Sequence, residues 1–323
     1  MHKSIVAAFV AAAAVQAGWA IAQTYPTKAV RFIVPFATGG GLDLAARILT
    51  QRLTEQMGYT AIVDNRPGAN GNLGAELAAK APADGYTLLM SAVTLQAINV
   101  ALYPKLNYDL VRDFAPISLL AQGPLFMVAH PSLPVKGVKE FVALAKARPN
   151  QLSYASSGTG SSLHLAGVMF DRIAGTKTTH VPYRGGGPAM VDLAGGHVEF
   201  AFSLLGIIQP FVDTGRLRNL GVGSLKRYPG LPNVPTVHEQ GVTGFEADTW
   251  YGLMAPAGIP REVADKLHAD VVKAMTSPEM TRRFAEQGMV AQTTTQAEFA
   301  RYLRNDIAKY GKVVKESGIQ VDF

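Results

Sequence analysis

From residue 25 onward the apolar positions of this chain alternate between short continuous runs and stripes at helical spacing. Residues 30–36 form a strand-like run, Val-Arg-Phe-Ile-Val-Pro-Phe, that ends in the loop 37–41. Leu42, Ala45, Ala46, Ile48, Leu49 and Leu53 then recur on one helical face, predicting a helix to about Met57 that Gly58 stops. A strand is predicted over 60–64, a turn-rich stretch over 65–71, a helix over 73–80 and a strand over 86–90. A second run begins near Pro124, with strands over 125–129, 152–155, 179–182, 200–202 and 217–222. Helices over 138–147, 163–174 and 188–194 fall between them. A charged, proline-spaced loop over 226–236 leads to the apolar stretch 250–254. The rest is helical: Pro260 and Ser277-Pro278-Glu279 open two helices, and Thr295-Gln296-Ala297-Glu298 is a capping box before a long amphipathic helix to about Glu316. This alternation predicts an α/β architecture with a mainly parallel sheet and helices on both faces. No low-complexity linker separates the two runs, so two lobes joined by crossing strands are expected rather than beads on a string.

The first residues follow a different pattern. Met1-His2-Lys3 is a short basic start, residues 5–15 are apolar, and Ala20-Ile21-Ala22 has the small residues a signal peptidase reads. The run is shorter than the roughly 20 residues of a membrane-spanning helix. A signal peptide over 1–22, cleaved after Ala22, is the expectation, with the mature chain outside the cytoplasm. The remaining 301 residues, in a chain that is 48% hydrophobic, suggest two domains with full cores. With no cysteine, thiol catalysis and cysteine-bound metals are excluded. The net charge of +6 is spread along the chain without basic clusters interleaved with aromatics, which argues against nucleic acid and suits a mild attraction for anions.

One internal echo stands out. Thr38-Gly39-Gly40-Gly41-Leu42-Asp43-Leu44-Ala45 matches Thr159-Gly160-Ser161-Ser162-Leu163-His164-Leu165-Ala166 at five of eight positions, 121 residues apart. Each copy lies between a predicted strand and a predicted helix. In open α/β sheets ligands bind beyond the carboxyl ends of strands, where helix N-termini present unpaired N–H groups and partial positive charge. Glycine allows close approach and Thr or Ser adds a hydroxyl. Two such turns facing each other would form a two-sided anion cradle.

The residues around these turns resemble the Bug (TctC-like) family, periplasmic solute-binding components of tripartite tricarboxylate transporters. The resemblance runs from Tyr25-Pro26 and the strand 30–36 through Gly39-Gly40, Asp43 and Arg47. It continues through 65–69, 82–88, 157–160, Val181-Pro182-Tyr183 and 215–218, across the mature chain. It implies a two-lobed, type II Venus-flytrap fold with two crossover segments. Lobe 1 is then 24–122 plus 252–323, and lobe 2 is 123–251. It also implies a monomer that passes a small carboxylate to the membrane subunits of a tripartite transporter, both turns gripping the carboxylate. Two departures bear on the ligand. Thr38 stands where the family usually has proline, and Ser203, followed by Leu204 and Leu205, stands where it often has aspartate. Losing that acid disfavours an amino acid and favours an alkyl or aromatic carboxylate such as a benzene carboxylate.

Candidate ligand contacts are therefore Phe36, Thr38, Gly39, Gly40 and Gly41 in the first turn, and Ser157, Thr159, Gly160, Ser161, Ser162 and His164 in the second. Ser91 and Thr94 at a strand end are wall candidates, and Tyr183, Arg184 and Ser203 lie nearby. Asp43 is expected to stabilise its helix N-terminus rather than meet the ligand. The second turn's hydroxyls divide between capping and binding. His164 and Tyr183 either contact the ligand or pack, and Trp250 and Tyr251 either wall the cleft or fill the core. Leu44 and Leu163 occupy the last glycine positions of G-x-G-x-x-G, and the phosphate loop, zinc helix and nucleophile elbow are missing. No enzyme activity, cofactor or metal is expected; the rival readings are an exported enzyme acting on a small carboxylate and a ligand receptor for a sensor kinase.

Overall fold

The computed structural model describes residues 25–39, 41–183 and 185–319. The expected signal segment 1–22 and the candidates Gly40 and Arg184 lie outside them. The first run folds as β1 (Val30–Val34), α1 (Gly41–Met57), β2 (Ala61–Asn65), α2 (Asn72–Ala79), β3 (Thr87–Ala92) and α3 (Val93–Leu102). β1 lies between β2 and β3, parallel to both. Strand alternation sends Phe32 and Val34 into one core with Leu49 and Leu267, and Ile33 into another with Ala75 and Phe299.

The chain then enters β4 (Phe114–Ala129), a strand of 16 residues. The second run follows as α4 (Val138–Ala147), β5 (Ser153–Ser156), α5 (Ser162–Ala174), β6 (Thr179–Pro182), α6 (Gly186–Ala194), β7 (Phe200–Leu204), α7 (Leu205–Asp213) and β8 (Arg218–Val222). β5 is parallel to its neighbours β6 and β7. Last come β9 (Asp248–Pro256), α8 (Arg261–Met275), α9 (Pro278–Ala285), β10 (Val290–Ala291) and α10 (Gln296–Ser317).

β4 and β9 tie the halves together. β4 pairs antiparallel with β9 from Phe114↔Pro256 to Pro124↔Asp248, then turns its remaining residues to β7 and β8. β9 is also antiparallel to β3. The sheet order is β2-β1-β3-β9-β4-β7-β5-β6, with β8 and β10 both on β4. The expected mainly parallel sheet is therefore corrected to a mixed one: each half keeps its parallel units, and the crossing strands add antiparallel pairs.

Two helices escaped the sequence reading. In α3 the polar Thr94, Gln96 and Asn99 are buried while the apolar Val100 and Ala101 are exposed, so no polar stripe marks the solvent face. In α7 an internal Pro210 disguises a largely apolar helix. The C-terminal signals hold: Ser277 caps α9 with Pro278 in its first turn, and Thr295 and Glu298 close a full capping box on α10. α10 spans both halves, with Phe299 and Leu303 in the core of Ile33 while Tyr310 and Val314 join Phe141 and Phe170. Among the described residues no helix is long and apolar enough to cross a membrane.

Candidate functional site

A cavity of about 470 Å³ lies where the carboxyl ends of strands from both halves meet. Its size suits a small organic ligand. Its wall is largely apolar, with Phe36, Leu42, Leu95, Leu125, Leu163 and Leu204. Leu42 and Leu163 are the matching leucines of the echo, one from each half.

Five helices begin at this wall. Gly41 opens α1 and Ser162 opens α5, while Ala92, Gly185 and Leu204 cap α3, α6 and α7. None of those three caps makes a side-chain hydrogen bond. Their first-turn N–H groups are thus left without side-chain acceptors, and each helix adds partial positive charge at its start. Among the described lining residues no side chain is charged. Among the described residues, positive field at the cavity comes from backbone, with hydroxyls from Thr38, Ser162, Thr249 and Tyr251 beside it. Burial pushes the Tyr251 phenol up to about 12, so it stays a donor. A Cβ built on Gly41 would stand 2.7 Å from that hydroxyl, so glycine keeps this corner open.

The two echoed turns share one brace. Gly39 N–H donates to Asp43 Oδ2 at 2.9 Å, and Gly160 N–H donates to His164 Nδ1 at 3.1 Å. Both glycines have positive φ, +88° and +78°, and both acceptors sit four residues on, at aligned positions. Asp43 also accepts from Arg47 Nε and Asn65 Nδ2. Burial opposes its ionisation, but these hydrogen bonds outweigh it and hold the carboxyl below its ordinary value. His164 stacks on His180 with ring centroids 3.7 Å apart. Burial, and then the neighbouring His180, depress its pKa to about 3, so Nδ1 is free of a proton and able to accept. Burial likewise lowers His180 to about 4, with Ser156 Oγ 2.6 Å from its Nε2.

Of the sequence candidates, Phe36, Thr38, Gly39, Gly41 and Ser162 line the cavity. The other described candidates do not line it. Ser91 is fully buried and bonds Gln96; Thr94, equally buried, faces Asp306. Gly160 and His164 are committed to each other, and Ser161 caps α5 by accepting from His164 N. Ser157 and Thr159 are half-buried on the same turn, off the wall. Tyr183 packs with the core around Val181, its phenol raised to about 12 by burial and by Asp192. Ser203 is fully buried behind Leu204, its Oγ without a partner among the described residues. Sequence reasoning missed Ala92, Leu95, Leu125 and Thr249, whereas Gly185 and Gly186 fall in the segment 184–187 that it placed near the site. It left Tyr251 between core and wall, and the structure gives it both places. The available signal was positional, because the missed cap Ala92 ends a strand.

Comparison with known proteins agrees with this geometry. The family described as Tripartite tricarboxylate transporter family receptor matches residues 45–319. Protein BugT of Bordetella pertussis is 33% identical over 319 residues, covering 98% of each chain. Among solved structures, R. palustris Rpa4515 with adipate superposes with a TM-score of 0.84 at 35% identity, over 92% of this chain and 99% of that one. MatC (Rpa3494) from Rhodopseudomonas palustris with bound malate gives 0.79 at 30% identity, over 90% and 100%. The two solved relatives hold the carboxylates adipate and malate, and the two-lobed periplasmic-binding-protein fold is common to them and this chain. The chain belongs to the tripartite tricarboxylate transporter receptor family.

Proposed function

We propose that this protein captures a small carboxylate with an apolar body, alkyl or aromatic, between its lobes and hands it to the membrane subunits of a tripartite transporter. The observation that carries the reading is the meeting of five helix N-termini at one apolar cavity whose described wall holds no charged side chain. A lone carboxylate answers that field, and the leucines and Phe36 suit the rest of the ligand. The bound adipate and malate of the two relatives support the same chemistry.

The lobes divide as 24–122 with 252–323 against 123–251, β4 and β9 being the crossovers. The open form would bind the acid at one lobe's helix ends, and closure adds those of the other. Thr38, Gly41, Ser162, Thr249 and Tyr251 meet the ligand; Asp43 and His164 position the turns. The chain works as an exported monomer in the periplasm, residues 1–22 being its signal, and it catalyses nothing.

A thermal-shift screen of alkyl and benzene carboxylates tests this, with NMR of the mixtures for any product. Binding to the folded form raises the melting temperature by mass action. The expected result is saturable stabilisation by an acid recovered unchanged, lost in Gly41→Val while the fold persists. Turnover of the acid, or full binding by Gly41→Val, would contradict the reading.

A further inference from the structure

Strand alternation gives β9 two functional faces. Thr249 and Tyr251 look into the ligand cavity, so Asp248 and Trp250 look out behind the crossover. There they line a separate cavity of about 250 Å³ with Tyr302, Asp306 and Tyr310 of α10. Its chemistry is the inverse of the front. Asp248 and Asp306 are each only 7% exposed. Asp248 Oδ2 accepts from Gln122 Nε2 at 2.5 Å, while its Oδ1 has no hydrogen-bond partner among the described residues. Asp306 Oδ2 has only a long contact, 3.5 Å, from Thr94 Oγ1. A third carboxylate, Glu246, also lines this cavity, and so do Asn305 and the ammonium-bearing Lys309.

Two buried carboxylates with so few donors leave a strong demand for positive charge. Burial pushes both up to about 6, so at neutral pH they are largely ionised. The walls are aromatic: the Trp250 and Tyr302 rings lie 4.3 Å apart between centroids, and Tyr310 is beside them. Ring faces beside carboxylates favour an ammonium, above all an alkylated one. The chain's own ammonium already favours this cavity, since Lys309 Nζ lies 3.4 Å from Glu246 Oε2 and 5.4 Å from the Tyr310 ring centroid.

We propose that the back of the crossover is a second binding site, for a small organic cation whose ammonium lies between Asp248 and Asp306 and whose carbon body lies against Trp250, Tyr302 and Tyr310. Because β9 carries both sites, the cation would sit on the segment that moves as the lobes close.

Titration calorimetry of the intact protein tests it with tetramethylammonium and ethylammonium chloride, against potassium chloride at matched ionic strength. The expected result is saturable one-to-one binding of an ammonium and none of potassium. Asp248→Asn and Asp306→Asn should each weaken it at least about tenfold, as loss of a charged partner in a desolvated site does. Lys309→Gln removes the internal competitor and should tighten binding. Should either Asn variant fail to fold, Trp250→Leu must weaken tetramethylammonium more than ethylammonium. Absence of saturable heat, an equal response to potassium, or undiminished binding in the variants overturns the site.

Discussion

Gly39 and Gly160 give their amide hydrogens to side chains four residues on, so the two turns are held by one geometry with two chemistries. Asp43 does the work with charge, and Asp43→Ala would strand three donors, from Gly39, Arg47 and Asn65. Urea unfolding should register a loss of about 2–3 kcal/mol, in the range for hydrogen bonds to a charged group. His164 does it with a neutral ring, which ties stability to pH. Its folded value of about 3, and about 4 for His180, lie below the ordinary 6.5. Between pH 6.5 and 4 the unfolded chain therefore takes up protons that the folded chain refuses, and stability falls as pH falls. Each histidine contributes up to about 1.4 kcal/mol per pH unit in that window. Asp248 and Asp306, raised to about 6, act oppositely, gaining stability as pH drops from 6 towards 3.8. The histidine contribution is isolated by His164→Asn, which keeps an acceptor for Gly160 but cannot titrate. Its unfolding midpoints should depend less on pH between 6.5 and 4 than those of the parent; an unchanged slope would remove His164 from the account.

At the scale of elements, the strand-to-helix turns were legible because Gly, Thr and Ser there obey local rules of φ and capping. The same rules explain the capping box of α10 and the Ser277-Pro278 start of α9. Less legible was anything set by partners distant in sequence. Thr249 and Tyr251 reach the cavity only because β9 returns between β3 and β4, which no local pattern announces. The echo aligns Leu42 with Leu163, and both line the cavity, yet its hydroxyl at Thr159 lies off the wall, as does that of Ser157 just before it. Ser161 serves its own helix instead. Packing of α10 on β9 is close enough to test. A Cβ on Gly252 would fall 2.6 Å from the Phe299 ring and 3.1 Å from Val93 Cγ2. Gly252→Val should cost about 1–3 kcal/mol by overpacking, measured in urea. A neutral effect would mean that α10 is loosely seated.

For the whole molecule, each half is built on parallel units, and two antiparallel strands pass between the halves. α10 contributes Phe299 to a core of the first half and Tyr310 to a core of the second, and so ties the halves together. The net charge of +6 favours approach of an anion, and under the proposed function the described residues would hold it through backbone dipoles converging from five helices. The most direct measurement of that claim is calorimetric comparison of one apolar monocarboxylic acid with its primary amide, nearly equal in shape and without the charge. Loss of two charge-assisted hydrogen bonds, each worth about 1.5–3 kcal/mol, predicts binding of the amide at least about 100-fold weaker than the acid. Equal affinity for the two would contradict the account.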